Sequence, residues 1–221
     1  MEIWSWMRQL ETRLRAAFGE RLVFLGLQGS RARGEATANS DIDAVVILDE
    51  VSMADLEAYN AILDAMPYRS LSCGFVAGRR EVENWERSDL FSLCRDTVPV
   101  YGSLEFAQSR IGAEDVRRAV RMGACNLYHG AVHNYLHGKR METLAGLYKG
   151  AVFVIRTEHY LRTGEYLHDR QALSQQVDES ARQILCTARR LREGQSEENF
   201  AILSERLIQY CAGLMDRCAE P

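Results

Sequence analysis

The periodicity of the apolar residues changes near residue 110, and this change limits the folds that the chain can adopt. Before that point, apolar runs of four to seven residues alternate with helical patterns, which is typical of helices packed on a mixed sheet. After residue 112, four long segments carry apolar stripes at helical spacing and are joined by short connections, as in an up-down bundle. The sequence therefore predicts an α/β (α+β) fold, with a small mixed-sheet domain over residues 1–110 and a four-helix up-down bundle over residues 111–221.

The elements can be placed along the chain from the same patterns. In the first half, helices are predicted over residues 2–18, 53–66 and 81–94, and strands over residues 21–27, 44–48, 71–77 and 98–101. Pro99 favours an edge position for the last strand, because proline lacks the amide hydrogen that a central strand needs. The four helices of the second half are predicted over residues 113–137, 143–163, 170–193 and 197–218.

Composition narrows the class of partner and the location. The chain has 27 Lys and Arg against 31 Asp and Glu, a net charge of −4, so it lacks the basic excess of a general nucleic-acid binder. No apolar run reaches the length of a membrane span, and the N-terminal segment is too charged for a signal peptide. The six cysteines form no Cys-x-x-Cys pair, which indicates reduced thiols and a cytoplasmic protein.

Residues 29–43, GSRARGEATANSDID, lie between two predicted strands and contain the side chains best suited to chemistry. A Gly-Ser pair directly after a strand allows a tight turn that brings N–H groups and a hydroxyl close to phosphate. Asp41 and Asp43 flank Ile42 at the start of the next strand, where alternate side chains share a face. Carboxylate oxygens suit Mg²⁺, which can activate an attacking hydroxyl and neutralise the charge of a triphosphate.

This segment resembles the signature of the DNA polymerase β-like nucleotidyltransferase superfamily, which is Gly-Ser, a spacer and then Asp-x-Asp on a strand. The Ala-Arg-Gly of the spacer and the Ser-Asp-Ile-Asp ending resemble its minimal branch. The helical half is similar to the bundles of aminoglycoside nucleotidyltransferases and of nucleotidyltransferase/HEPN pairs. The resemblance implies that Gly29 and Ser30 form the triphosphate-binding turn and that Arg33 lies in the phosphate loop. It also implies that Asp41 and Asp43 hold two Mg²⁺ ions, with ATP or another nucleoside triphosphate as donor.

The sequence departs from the superfamily in the strand predicted over residues 71–77. Members usually carry a third carboxylate there, but LSCGFVA contains none, and Ser72 or Cys73 occupies the expected region. Glu81 and Asp96 lie beyond it. The sequence therefore does not identify the general base for the acceptor hydroxyl, and a protein with weak or lost activity is an open alternative.

The predicted bundle offers two further sets of polar residues. His129, His133 and His137 recur every four residues and form one ridge, so His133 can be a general base near neutral pH. The same ridge can be a solvated edge or a weak transition-metal chelate. Lys149 and Arg156 lie seven residues apart and are expected to share a face, where they could contact triphosphate, with Lys149 the better candidate. Charged flanks of an amphipathic helix are the alternative.

The leading hypothesis is transfer of AMP from ATP to a hydroxyl of a small molecule, such as an aminoglycoside-like antibiotic. A second hypothesis is AMP transfer to a protein, as in toxin–antitoxin systems, and a third is RNA cleavage by a HEPN-like bundle. Arg162 and His168 have the Arg-x(5)-His spacing of such ribonucleases, although Gly164 lies between them. A fourth is a nucleotide-binding module without turnover. Resemblance to dimeric relatives suggests a homodimer.

Overall fold

The computed structural model describes residues 2–195 and 198–219. The chain divides into two compact units, Met1–Ile111 and Gly112–Pro221. The described part of the first unit contains four strands and six α-helices: α1 Ile3–Phe18, β1 Leu22–Gln28, α2 Gly29–Ala32, β2 Ile42–Leu48, α3 Met53–Asp64, β3 Ser72–Gly78, α4 Arg79–Glu83, α5 Arg87–Asp96, β4 Val98–Gly102 and α6 Glu105–Gln108. The described part of the second unit contains α7 Ala113–His133, a π-helical turn Asn134–Gly138, α8 Met141–Thr163, α9 Arg170–Gln176, α10 Glu179–Arg192 and α11 Phe200–Arg217.

The sheet of the first unit is mixed and has the strand order β3-β2-β1-β4. Strand β1 is antiparallel to β2 and to β4, while β3 runs parallel to β2. Strand β4, which contains Pro99, is at an edge, as predicted.

Alternation along β2 divides the core of the first unit into two layers. Ile42, Ala44 and Val46 pack with apolar residues of α1 and α3 on one face. Val45 and Ile47 pack with residues of α4, α5 and α6 on the other face. Because side chains two residues apart share a face of a strand, Asp43 belongs to the face of Val45.

Arg21, which directly precedes β1, bonds to residues that follow β2. Its guanidinium bonds to the carboxylates of Asp49 (3.0 Å) and Asp55 (2.7 Å) and to the carbonyl oxygen of Glu50 (3.1 Å). Asp55 also completes a capping box with Ser52 at the start of α3. The hydrogen bonds from Arg21 and then from Ser52 hold the pKa of the Asp55 carboxyl well below its usual range.

Helices α7 and α8 of the second unit form a close antiparallel pair. Glycines allow the approach, since a side chain at Gly123 would meet Val154 and one at Gly130 would meet Leu147. From the first contact to the second, the residue number rises along α7 and falls along α8, so the two helices are antiparallel.

Helix α11 packs against both members of this pair. Against α7 it places Met215 at Cys125, 3.3 Å between sulfurs, and Phe200 in a stack on Tyr135. These contacts show that α7 and α11 are antiparallel. From α8, the buried Tyr148 hydroxyl donates to the carbonyl oxygen of Leu203 at 2.8 Å. No helix within the described ranges combines the length and apolar content needed to cross a bilayer.

The fold class is the predicted one, but two of the predicted helices are each divided into two. The helix predicted over residues 170–193 is broken at Val177 and Asp178, because the Asp178 carboxylate accepts from the Ala181 amide and caps a new helix. The helix predicted over residues 81–94 is divided into α4 and α5, and Glu86 caps the second of them. The last bundle helix, predicted over residues 197–218, spans Phe200–Arg217 in the structure. Residue 197 lies outside the described ranges.

Replacement of the Asp178 cap is expected to destabilise the second unit in a pH-dependent way. The Ala181 amide, and then the Ser180 hydroxyl, lower the pKa of the Asp178 carboxyl. A depressed pKa contributes stability above the unfolded value, about 3.9, and that stability is lost as the pH falls through the folded value. Asp178→Ala should therefore lower the free energy of unfolding by about 1 kcal/mol at neutral pH, with a smaller difference below about pH 4. Urea unfolding followed by circular dichroism measures this. Asp216→Ala, which removes an exposed carboxylate that caps no helix, should show no such loss.

Candidate active site

The turn after β1 and the start of β2 meet at one edge of the sheet. Gln28, the last residue of β1, pairs with Asp43 in the antiparallel register. Gly29 then opens the single turn of α2, so the Gly-Ser pair lies beside the Asp43 backbone. Register alone therefore brings together two parts of the predicted signature that are fourteen residues apart.

Gly29 makes the closest of these contacts. Its φ of +75° lies in the left-handed region, which residues with side chains adopt rarely. A Cβ built on Gly29 would overlap the carboxylate of Asp43. A side chain at this position would therefore strain the backbone and displace the Asp43 carboxylate. Asp43 is half-buried against the turn, whereas Asp41 is exposed and Ile42 between them is fully buried.

The residues at this edge fit a divalent cation of the Mg²⁺ type. Asp41 and Asp43 offer hard carboxylate oxygens, and the glycine at position 29 leaves room for the Asp43 carboxylate beside the Gly-Ser turn. Within the described ranges, no group of three or more His, Cys, Asp or Glu is arranged to hold a metal ion. An ion at Asp41 and Asp43 would therefore take its remaining ligands from substrate and water, which is usual for Mg²⁺.

Arg31 fastens the loop that leads into the aspartate pair. Its Nε lies 3.1 Å from the carbonyl oxygen of Ser40 and 3.0 Å from that of Asp41, and its Nη2 lies 2.5 Å from the Ser40 oxygen. Sequence reasoning missed this residue, because no periodic pattern links it to Ser40 or Asp41.

Arg33, predicted to lie in a phosphate loop, bonds to a side chain of its own loop. Its Nε lies 3.3 Å from Oε2 of Glu35, and its side chain is only 5% exposed. A contact between Arg33 and phosphate stays a prediction. Ser30 is the second residue of α2, and its carbonyl oxygen accepts from the Glu35 amide at 2.9 Å.

Strand β3 carries no carboxylate, and its register shows what stands beside the aspartates. Ile42 pairs with Ser72 and Asp43 pairs with Cys73. Burial raises the pKa of the Tyr59 hydroxyl to about 12. Tyr59 packs on the face of α1 and α3, opposite to the face of Asp43.

The two acids beyond β3 differ in where the fold places them. Glu81 contacts Gly78, which pairs with Leu48, five residues along β2 from Asp43, or about 17 Å. That separation removes Glu81 from the candidate site. Asp96 precedes Val98, which pairs with Leu27, so it lies near the correct edge. It is only 4% exposed, however, which does not suit a base that an acceptor must reach.

The histidine ridge of the second unit is on the surface. His129, His133 and His137 are exposed, with ring centroids 6.1 Å apart for the first pair and 4.9 Å for the second. Helix α7 ends at His133, and the following π-helical turn closes with a bond from the Lys139 amide to the Asn134 carbonyl oxygen. The imidazoles are thus accessible to solvent, as a general base requires.

The prediction of a shared cationic face on α8 is wrong for Arg156. Lys149 is exposed, but Arg156 is fully buried, where its Nη2 donates to the His168 carbonyl oxygen at 2.8 Å. The chain turns back after Gly164, at φ +75°, and covers Arg156 but not Lys149. The same turn separates Arg162 on α8 from His168 in the loop.

Known protein families and solved structures show what the chain is similar to. Residues 7–118, just over half of the chain, match the family model described as nucleotidyltransferase domain. Among solved structures, the spectinomycin adenyltransferase AAD(9) from Enterococcus faecialis, solved with ATP and spectinomycin, is similar with a TM-score of 0.56. The sequences are 16% identical, and the match covers 98% of this chain and 99% of that one, so the likeness in fold includes both units. No curated protein matches the chain.

The contact between Gly29 and Asp43 can be tested by adding one methyl group. Gly29→Ala and Gly34→Ala both place alanine at a positive φ, +75° and +70°, which costs about 1–2 kcal/mol. Only Gly29→Ala also displaces the Asp43 carboxylate, since nothing lies within 4 Å of a Cβ at Gly34. We expect the larger loss of stability for Gly29→Ala in urea unfolding. Equal losses in the two variants would contradict the contact.

Proposed function

Since the chain belongs to the nucleotidyltransferase domain family, we propose that it transfers AMP from ATP to a hydroxyl of a small molecule. The observation that supports this most directly is the contact of Gly29 with Asp43, which joins the phosphate-type turn to the aspartate pair. A turn and a carboxylate pair at one sheet edge can hold a triphosphate and its counter-ions together.

Each residue of the edge has a role in this proposal. The Gly29–Ser30 turn binds the triphosphate through backbone N–H groups and the Ser30 hydroxyl. Asp41 and Asp43 would hold two Mg²⁺ ions, which supply charge neutralisation and activation of the acceptor hydroxyl when bound. The acceptor oxygen forms a bond to the α-phosphorus, the bond from that phosphorus to the bridging oxygen breaks, and pyrophosphate leaves with the electron pair. The acceptor proton passes to a base.

A cationic, hydroxylated acceptor of the aminoglycoside type fits the net charge of −4. The fold relative that contains ATP and spectinomycin supports an antibiotic-like acceptor. All six cysteines are free thiols, which supports a cytoplasmic location. We also propose a homodimer, which only the family resemblance supports.

One alternative function has an observation in its favour. Strand β3 has no carboxylate to complete the site, so a module that binds nucleotide without turnover is the second candidate. ATP binding by calorimetry, without release of pyrophosphate for any hydroxylated acceptor tested, would favour that candidate. The RNA-cleaving alternative is disfavoured because a helix end lies between Arg162 and His168.

The aspartate pair gives the first functional test. Asp41→Asn and Asp43→Asn should each reduce Mg²⁺-dependent release of pyrophosphate from ATP to background, because the amide is a poor ligand for a hard cation. Asp49→Asn is the matched control, as it alters a carboxylate just beyond the other end of β2. Its turnover should equal that of the wild type. Full turnover in either site variant rejects the mechanism.

The general base gives a second test. We propose His133 for this role and Lys149 as a cation for the triphosphate, since both side chains are exposed on the second unit. His133→Ala should lower kcat by about 10²- to 10⁴-fold, the usual contribution of general base catalysis. The affinity for ATP should barely change. His129→Ala, one turn earlier on α7, should keep wild-type kcat, and a similar loss in both variants would argue against a specific base.

A further inference from the structure

Arg31 makes a set of contacts that the proposed chemistry does not yet use. Three hydrogen bonds, from Nε and Nη2, reach the main-chain oxygens of Ser40 and Asp41. We infer that Arg31 is a positioning residue that fixes the Asp41 backbone and thereby sets its carboxylate for the metal-bound nucleotide. The effect on the metal-bound nucleotide rests on the proposed function, whereas the contacts of Arg31 with the Ser40 and Asp41 main chain do not.

The need for such a residue follows from where Asp41 lies. Asp43 is constrained by ladder pairing on both sides, with Gln28 and Cys73, and by its contact with Gly29. Asp41 precedes the first ladder pair, that of Ile42 with Ser72, and it follows an irregular loop. Register therefore determines the position of one carboxylate, and the bonds from Arg31 determine that of the other.

The chemistry of the guanidinium suits this role. Arg31 donates to main-chain oxygens, so its three bonds use no carboxylate oxygen of the metal ligand that it positions. Its planar fork makes several bonds at once, whereas a lysine ammonium at the same place is a point charge on a flexible stem. Arg31→Lys should consequently restore only part of what Arg31→Met removes.

The surroundings allow Arg31 to be replaced without overpacking. Arg31 borders a cavity of about 510 Å³ that Ile3, Tyr68 and Leu71 also line. A methionine at position 31 fills the space of the aliphatic stem and loses only the three bonds. The first unit should therefore fold normally in this variant, which circular dichroism can verify.

Binding of Mn²⁺ in the presence of a non-hydrolysable ATP analogue, followed by electron paramagnetic resonance, tests the inference. Arg31→Met should weaken Mn²⁺ binding by about 10- to 100-fold, the usual effect of removing a group that orients a metal ligand. The matched control is Arg21→Met, which removes a comparable set of bonds at the other end of β1 and β2. The control should bind Mn²⁺ as the wild type does. Wild-type affinity in Arg31→Met, or equal weakening in both variants, would overturn the inference.

Hydrogen exchange separates this inference from the proposed function. If the wild type binds no Mn²⁺ and Asp41→Asn changes nothing, the proposed function fails. The amides of Asp41 and Ile42 should still exchange faster in Arg31→Met than in the wild type, because the loop has lost its attachment. Unchanged exchange at both amides would show that Arg31 does not position Asp41.

Discussion

The absence of a side chain at Gly29 is the constraint on which the candidate site depends. The turn after β1 has a left-handed residue at its first position, and the Asp43 carboxylate occupies the space where a Cβ would be. Pairing of Gln28 with Asp43 brings the two strands together at that point. The position of the carboxylate thus depends on the ladder hydrogen bonds and on the absence of a side chain at Gly29.

Strand β2 is anchored at both ends by arginines that bond to the chain flanking it. Arg21 binds the residues that follow the strand, and Arg31 binds the residues that precede it. The strand itself is central and buried, and it has apolar side chains on both faces. Polar contacts are therefore concentrated just beyond its ends, where the backbone leaves the ladder and needs other partners. After β2, these contacts include the capping residues of helix α3. Before β2, they hold the chain that carries Asp41.

Local patterns in the sequence were sufficient for the signature and for most elements. The Gly-Ser turn and the aspartate pair are read from consecutive residues, and the bundle helices from their apolar period. At Asp178 the apolar period is compatible both with one continuous helix and with a new helix capped by Asp178, so periodicity alone does not predict the break. The burial of Arg156 and the bonds of Arg31 depend on segments that return from elsewhere in the chain. Such contacts leave no periodic trace in one sequence.

The thiols of this protein differ sharply in accessibility. Cys94, Cys211 and Cys218 are buried, and burial raises the pKa values of the first two to about 11 and about 12. Cys73 alone is exposed, and its strand lies about 5 Å from that of its register partner Asp43. Cys125 and Cys186 are half-buried. A thiol-reactive fluorophore or spin label would therefore attach most readily at Cys73, next to the aspartate pair. The fold thus provides a spectroscopic reporter at this edge without an engineered cysteine.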